Sequence, residues 1–260
     1  MDNQQSIMER DGHVSTGILA SPDLVAQAVT AMDEVLEGKY ETGIEPKRVD
    51  WRPGDDPTAL RRVENPHWSN PVLNRILRES GVGEAARKIS GAKSVQAWNV
   101  QLLYKPSGAT NSKSNVGWHQ DLAYWPFWEG EVFTAWLALS DVGADCGPMK
   151  FVQASHKWGV LSGSNFWFPG SLEELKKTFK LPAGAVWEEA LTLIPAGAAS
   201  LHHSLTLHGS AANHSGRPRR SLAIHLRTER ARYDKTKDKT GAITDLSDLD
   251  RYPLIAGNPI

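Results

Sequence analysis

The chain has 260 residues, 40% hydrophobic and 23% charged, which is an ordinary composition for a globular protein and enough for one large domain. A formal net charge of -1 at pH 7 creates no strong field for nucleic acid or an anionic membrane, so neither partner is expected. The single cysteine, Cys146, excludes an intrachain disulfide, and the polar N-terminus and the lack of long apolar runs favour a cytoplasmic protein.

The first third of the chain is predicted to be mainly helical. Ser21-Pro22-Asp23 is typical of a helix start, because serine can cap the backbone, proline needs no donor there, and the acid lies at the positive end. Apolar residues follow at helical spacing as far as Leu36, and Gly38 ends the run. Asn70-Pro71 repeats the start signal, and the polar stretch 51–57 between the two helices is predicted as loop.

From about Ser94 the hydrophobic period changes to two, which is typical of β-strands. In the first strand the even-numbered residues from Trp98 to Tyr104 are expected on one face, with Asn99 and Gln101 on the other. Apolar runs predict further strands at 132–139, 148–152, 185–194, 199–207 and 220–226. Short strands separated by turn signals favour a sandwich or a barrel.

No shift in composition marks a second domain. We therefore expect a single domain over residues 1–260, mainly β with a helical N-terminal layer. Its parts are a helical region over about 1–93, a β core over about 94–230 and a polar C-terminal segment over 231–260. The C-terminal segment is rich in lysine, threonine and aspartate as far as Asp250, which indicates a surface excursion or a mobile flap.

The central chemical feature is the sequence Gly117-Trp118-His119-Gln120-Asp121. Residues two apart on a strand point to the same side, so His119 and Asp121 can direct an imidazole and a carboxylate at one point. These are two of the three ligands in the 2-His-1-carboxylate set that holds Fe(II) in non-haem oxygenases and leaves positions open. The alternative is a histidine and an aspartate that only pair with each other at a strand end.

A third ligand has to come from elsewhere in the chain. His208 follows an apolar strand and is followed by the small residues Gly209 and Ser210, which let another group approach. His202 and His203 compete with it. On a straight strand His202 would lie about 20 Å from His208, too far to share one ion. We therefore interpret His202 and His203 as ordinary polar residues of a strand.

Three sequence blocks together resemble the phytanoyl-CoA dioxygenase family. They are GWHQDLAYWP, TAWLALSDVGADCGPMKFVQASHKWG and LTLHGSAANHSGRPRR, and the resemblance runs from about Gln101 to Leu226. It implies a double-stranded β-helix core, the jelly roll of cupin-like proteins. It also implies Fe(II) held by His119, Asp121 and His208, with 2-oxoglutarate and O2 as co-substrates. The family often has Pro-Gly-Ser-His where this chain has Gln-Ala-Ser-His, a change in a turn.

The resemblance also implies the residue that anchors the co-substrate. In the family an arginine eleven positions after the distal histidine pairs with the far carboxylate of 2-oxoglutarate, and here that position is Arg219. The phase of the following strand favours the same residue over Arg220, because Arg219 alternates with small or polar residues and Arg220 with large apolar ones.

Several other residues are predicted near this site. Ser210, Gln101, Trp136 and Thr134 are expected to contact the co-substrate or to line its cavity, and Tyr124, Trp125 and Phe127 to contact an apolar substrate body. Plain cavity lining is the alternative for the first four, and packing of the barrel rim is the alternative for the three aromatic residues.

The carboxylate at position 121 bears on the type of reaction. Related halogenating enzymes have glycine or alanine there, so Asp121 favours hydroxylation, or another oxidation, of an unactivated C–H bond of a small molecule, with release of succinate and CO2. The alternatives are a cupin-like metal-binding protein without turnover, and a metal-dependent hydrolase or isomerase that needs no 2-oxoglutarate. The substrate and the oligomeric state are left open.

Overall fold

Two antiparallel sheets form the core of the computed structural model, which describes residues 3–108 and 112–258. The helices are α1 (Gln4–Asp11), α2 (Pro22–Leu36), α3 (Pro71–Glu79), α4 (Val82–Ser90) and α5 (Leu172–Lys176). The strands are β1 (His13–Ile18), β2 (Arg48–Val49), β3 (Arg61–Glu64), β4 (Ser94–Lys105), β5 (Val116–His119), β6 (Trp128–Glu129), β7 (Val132–Ala138), β8 (Met149–Val152), β9 (Glu189–Leu191), β10 (Ala198–His203), β11 (His208–Ser210), β12 (Arg219–Thr228), β13 (Arg232–Tyr233) and β14 (Leu254–Gly257). Short 3₁₀ turns span Pro66–Trp68, Ser112–Ser114, Asp121–Tyr124 and Ser155–Trp158.

The larger sheet has the strand order β1-β10-β7-β12-β4-β3-β2, and β14 also pairs with β4. The smaller sheet has the order β5-β11-β8-β9, while β6 and β13 form a separate ribbon. Side chains from both sheets, such as Gln101 of β4 and His208 of β11, line one cavity. The two sheets therefore face each other, which is the predicted jelly roll with its helical N-terminal layer.

The helices cover the outer face of the larger sheet. The Ser21 hydroxyl caps α2 by accepting a hydrogen bond from the Leu24 amide at 3.3 Å, and Asn70 caps α3 through the Val72 amide at 2.9 Å, so both predicted starts are confirmed. The buried side of these helices packs against outward-facing residues such as Leu222. This apolar layer leaves the inner face of the sheet free for polar and aromatic side chains.

The first third of the chain also contributes three strands to the larger sheet, which the prediction of a mainly helical region missed. β1 pairs with β10 (for example His13 with His202), and β2 and β3 extend the opposite edge. These short strands exist because of pairing with distant residues, so the local pattern carries little sign of them.

Strand β4 departs in one detail from the predicted alternation. The pairing of β12 with β4 shifts register between Asn99 and Ala97, and this bulge turns Trp98 into the cavity rather than to the outer face with Val100. Beyond the bulge the prediction holds, since Asn99 and Gln101 line the cavity while Val100 lies in the outer core.

The C-terminal segment packs against the β core. Ile243 and Tyr252 are buried, and Lys47 donates a hydrogen bond to the Gly241 carbonyl at 2.5 Å. Thr240 and Ala242 reach the cavity. Within residues 3–108 and 112–258 we find no helix with the length and apolar content needed to span a membrane.

Candidate metal centre and its cavity

Three buried side chains from the smaller sheet and the turn that follows it converge at one point. His119 ends β5, Asp121 begins the next 3₁₀ turn, and His208 begins β11 directly opposite His119 in the antiparallel pair. Asp121 Oδ1 lies 3.6 Å from His119 Nε2 and 3.7 Å from His208 Nε2. One ligand atom from each residue lies within 4.8 Å of the other two, a separation that a single metal ion can bridge.

Both imidazoles are oriented by the backbone. His119 Nδ1 lies 2.8 Å from the Gly117 carbonyl oxygen, and His208 Nδ1 lies 2.9 Å from that of Thr206. A carbonyl can only accept, so Nδ1 carries the proton in each ring and the neutral Nε2 keeps its lone pair for a metal. Burial, and then the neighbouring His119, lower the pKa of His208 well below its usual value, which keeps this ring neutral.

The two oxygens of Asp121 have different partners. Thr134 Oγ1 donates to Oδ2 at 2.7 Å, and His202 Nε2 lies 3.3 Å from the same oxygen. Burial opposes ionisation, but the neighbouring groups His208, His119 and His202 hold the pKa of Asp121 well below its usual range. The carboxylate is therefore ionised, with Oδ2 held by the protein and Oδ1 directed at the two histidines.

Thr134 is held in turn by a further histidine. Its single hydroxyl proton is donated to Asp121, so His225 Nδ1, 2.9 Å away, must donate to Thr134 Oγ1. Burial lowers the pKa of His225 to about 4, so this ring is neutral at pH 7. Thr134 thus contacts the metal-binding carboxylate directly, rather than only lining the cavity.

The prediction that His202 is too distant from His208 was wrong. The two ring centroids are 4.3 Å apart. The predicted strand 199–207 is broken by a turn, in which the Thr206 amide bonds the His203 carbonyl at 2.8 Å, and the chain passes from the larger sheet to the smaller one. The straight-strand distance therefore does not apply. His203 points to the other face, with its ring 5.7 Å from that of His156.

The metal-binding cluster lies in a cavity of about 530 Å³ between the two sheets. All eight residues predicted as cofactor or substrate contacts line the same cavity: Gln101, Tyr124, Trp125, Phe127, Thr134, Trp136, Ser210 and Arg219. The structure thus brings the whole predicted set together, although their individual roles stay predictions.

Arg219 and Arg220 point in opposite directions. Arg219 is buried over the Trp136 ring at 5.1 Å, donates from Nη1 to the Gly147 carbonyl, and has no partner for Nε among the described residues. Burial lowers its pKa to about 10, so it stays charged at neutral pH. Arg220 instead bonds Asp33 of α2 at 3.0 Å, on the outer face of the sheet.

The outer part of the cavity is aromatic. Trp125 and Phe127 pack on Trp98 with ring centroids 4.8 Å and 5.9 Å away, so they belong to a packed cluster as well as to the wall. Phe166 and Trp167 also line the cavity, with the Arg62 guanidinium 5.2 Å and 5.3 Å from their rings. These walls surround the space beside the metal-binding cluster with apolar surface.

The loop that carries Phe166 and Trp167 is tied to the metal-binding segment by Gln120. This buried side chain donates to the carbonyls of Gly159 at 2.8 Å and Leu205 at 2.7 Å, and accepts from the Leu161 amide at 2.7 Å. A side chain at position 117 would overlap the Asn165 carbonyl, which explains the glycine there.

Sequence reasoning did not assign His202 and His225 to this site, nor Lys105, which does not line the cavity but whose Nζ donates to Ser210 Oγ at 2.7 Å. Lys105 and His225 could have been found, because Lys105 has the same strand phase as Gln101 and His225 the same as Arg219. His202 was weighed and rejected, since the turn that brings it close depends on the tertiary fold.

Comparison with known proteins gives two kinds of match. The family model described as phytanoyl-CoA dioxygenase matches residues 8–221. A probable alpha-ketoglutarate-dependent hypophosphite dioxygenase of Stutzerimonas stutzeri is 31% identical over 179 residues, which are 66% of this chain. The matched region spans 58% of that relative's own length.

Solved structures share the fold. The non-haem alpha-ketoglutarate-dependent epimerase SnoN from nogalamycin biosynthesis, solved with Fe3+, alpha-ketoglutarate and nogalamycin RO, superposes with a TM-score of 0.70 at 22% identity over 97% of both chains. The carbocyclase SnoK from the same biosynthesis gives 0.67 at 19% identity, over 98% of this chain and 96% of SnoK. At these identities the likeness concerns the fold alone.

Proposed function

The chain belongs to the phytanoyl-CoA dioxygenase family, and on this premise we propose that it is an Fe(II)- and 2-oxoglutarate-dependent dioxygenase acting on a small molecule. The observation that carries the proposal is the cluster of His119, Asp121 and His208, with two Nε2 lone pairs and one carboxylate oxygen free for a single ion. Two imidazoles and one carboxylate match the donor set of non-haem Fe(II) oxygenases.

These three residues would hold the metal and leave its other positions open to the cavity. With iron bound there, 2-oxoglutarate and O2 supply oxidative decarboxylation to succinate and CO2, coupled to oxidation of a substrate C–H bond. Thr134 and His202 hold Asp121 Oδ2, which leaves Oδ1 as the oxygen that faces the ion. These contacts would therefore help to orient a metal ion held by the three residues.

Arg219 would bind the distal carboxylate of 2-oxoglutarate. A guanidinium offers planar paired donors that fit a carboxylate, and this one is buried, charged and short of a partner on Nε. Ser210, Gln101 and Trp136 line the cavity beside it. We assign these three to the co-substrate compartment and Thr134 to the support of Asp121.

The substrate would lie in the aromatic outer cavity, beside Tyr124, Trp125 and Phe127. These walls suit a small or mid-sized molecule with an apolar body, and they exclude water from the reacting C–H bond. Hydroxylation is the first expectation, with desaturation or ring formation as variants. We also propose a single oxygenase domain over 1–260 and retain the expectation of a cytoplasmic protein.

Turnover of 2-oxoglutarate separates this function from its alternatives. We expect the purified protein with Fe(II), O2 and 2-oxoglutarate to form succinate slowly without a substrate, and faster with one. His208→Ala should abolish this activity, because a lost ligand costs more than the about 10–100-fold typical of residues that only support ligands. Tight iron binding with no succinate under any condition would instead indicate a cupin-like binding protein.

A further inference from the structure

Lys105 is completely buried near Arg219, without a carboxylate for either charge. It ends β4 and is the register partner of Arg219 on β12. Its Nζ donates to Ser210 Oγ at 2.7 Å, to the Ser210 carbonyl at 3.3 Å and to the Ala211 carbonyl. Within 3–108 and 112–258, no aspartate or glutamate forms an ion pair with Lys105 or Arg219. Burial, and then the neighbouring Arg219, lower the pKa of Lys105 well below its usual value, and burial also lowers the pKa of Arg219.

Two buried cations side by side are unfavourable unless an anion joins them. The Cys146 thiol is already engaged, since Sγ donates to the Gly143 carbonyl at 3.1 Å. Arg219 opens on the cavity, while Lys105 lies behind the wall formed by Ser210. The missing anion must therefore arrive through the cavity and meet Arg219 and Ser210 first.

The hydrogen bond from Lys105 decides what Ser210 can offer to that anion. Three acceptors surround Lys105 Nζ, the carbonyls of Ser210 and Ala211 and Ser210 Oγ, so Nζ donates to Oγ. The single Ser210 proton is then left to donate elsewhere, and no described residue accepts it. Ser210 lines the cavity two residues beyond His208 on the same strand. A carboxylate next to Arg219 is an acceptor for this proton.

We propose that Lys105 is a positioning residue for the dicarboxylate co-substrate. It holds the Ser210 hydroxyl with its proton directed into the cavity and adds a second positive charge behind Arg219. This proposal rests on the proposed function. It makes Lys105 a determinant of preference for 2-oxo acids with a distal carboxylate, rather than of iron binding.

The test compares two ligands in Lys105→Met and in the control Lys150→Met. Lys150 lies on β8, the strand next to β11, which carries Ser210. Its side chain pairs with Glu189 at 3.0 Å, and it does not line the cavity. The ligands are 2-oxoglutarate and 2-oxopentanoate, which has the same chain length but no distal carboxylate. Their dissociation constants are measured without turnover, by anaerobic titration of the Fe(II) protein and by the shift in melting temperature that each ligand produces.

We expect Lys105→Met to weaken 2-oxoglutarate binding by about tenfold or more, the usual scale for a hydrogen-bonded charged group. The binding of 2-oxopentanoate and of Fe(II) should stay within about twofold of the wild type, as should all three affinities in Lys150→Met. Equal weakening of both 2-oxo acids would overturn the proposal, because Lys105 would then only support β11 and its His208.

Ser210→Ala is a second test of the proposal, and it can be used even if Lys105→Met folds poorly. Since Lys105 acts through Ser210, this change should weaken 2-oxoglutarate selectively, and the double variant should bind about as well as the weaker single one. Unchanged 2-oxoglutarate binding in Ser210→Ala, or fully additive losses, would contradict the proposal.

Two further controls distinguish an effect of the Cys146 thiol and a failure of the proposed function from the role of Lys105. Cys146→Ala should keep wild-type affinity for 2-oxoglutarate. A gain of about tenfold or more would show that a thiolate already serves as the counter-anion of Lys105 and Arg219, and would overturn the proposal. If wild-type protein binds neither 2-oxo acid in the presence of Fe(II), the proposed function itself fails. A failure confined to the variants concerns Lys105 alone.

Discussion

At the scale of single residues, the metal site depends on where a few protons lie. The Thr134 hydroxyl has one proton, and the hydrogen bond to Asp121 uses it. This leaves Asp121 with one engaged and one free oxygen, and it requires His225 to donate from Nδ1. The cluster of His119, Asp121 and His208 could be predicted from sequence, as could the presence of Thr134 near it. The hydrogen bond from Thr134 to Asp121 and the approach of His202 could not, because these residues come from other strands.

Thr134→Val tests this support of the carboxylate. Valine has nearly the same shape but no proton, so Asp121 Oδ2 loses its shortest hydrogen bond. We expect the affinity for Fe(II) to fall by about 10–100-fold, measured by anaerobic equilibrium dialysis. Thr228→Val is the matched control, because Thr228 is buried on β12 and, among the described residues, its hydroxyl only accepts from the Arg230 amide. Equal losses in both variants would point to general destabilisation.

Arg219→Ala and Arg220→Ala separate two neighbouring charges. Removing one partner of a buried charge pair costs on the order of 2–5 kcal/mol, so Arg219→Ala should raise the KM for 2-oxoglutarate well over tenfold. Iron binding should be largely retained. Arg220→Ala loses an ion pair with Asp33 on the outer face and should leave this KM nearly unchanged. The reverse pattern would show that the anchor has been assigned to the wrong arginine.

At the scale of elements, the sequence predicts best what depends on local chemistry. The starts of α2 and α3 were visible because Ser21 and Asn70 cap their own helices. Strands β4, β7, β8 and β12 were visible from their apolar pattern. Strand β1 was missed because its stability comes from β10, nearly 190 residues away (His13 with His202). The same limitation concealed the turn between β10 and β11.

The loop that bears Phe166 and Trp167 depends on Gln120. We expect Gln120→Ala to destabilise the protein by about 1–3 kcal/mol, since the Leu161 amide and two carbonyls lose a buried partner. Hydrogen exchange should rise most in residues 159–168. Gln153→Ala is the control, because within the described part of the chain its side chain bonds only Glu188. Unchanged exchange in this loop, despite a lower melting temperature, would contradict a specific role in holding it.

At the scale of the whole molecule, three layers have separate roles. The helices bury the outer face of the larger sheet, the two sheets hold the candidate site between them, and the loops and the C-terminal segment form the mouth. The jelly-roll fold and the metal-binding cluster were within reach of sequence reasoning. The contribution of residues such as Thr240 to the mouth was not, because a polar segment gives no sign of where it packs.

We expect acid to destabilise residues 233–243, near the cavity mouth, by protonating Asp238. Burial raises the pKa of Asp238, but hydrogen bonds from the Ala242 amide, the Tyr233 hydroxyl and the Ile243 amide outweigh it and bring this pKa down to about 2. A folded-state pKa below the unfolded value of 3.8 contributes stability above pH 4, and this contribution is lost as the pH falls towards 2. Hydrogen exchange of residues 233–243 should therefore rise over this range in the wild type, and much less in Asp238→Asn. Equal pH dependence in both proteins would exclude Asp238 as the cause.

The most direct test of the central claim is an anaerobic optical titration of the Fe(II) protein with 2-oxoglutarate. A weak visible charge-transfer band appears only when iron in the site binds both the keto and the carboxylate oxygens of the co-substrate. We predict this band with one equivalent of iron in the wild type, its loss in His119→Ala and His208→Ala, and its retention in Arg219→Ala at raised 2-oxoglutarate. An unchanged band in either histidine variant, or no band in the wild type at saturating iron and 2-oxoglutarate, would contradict the account.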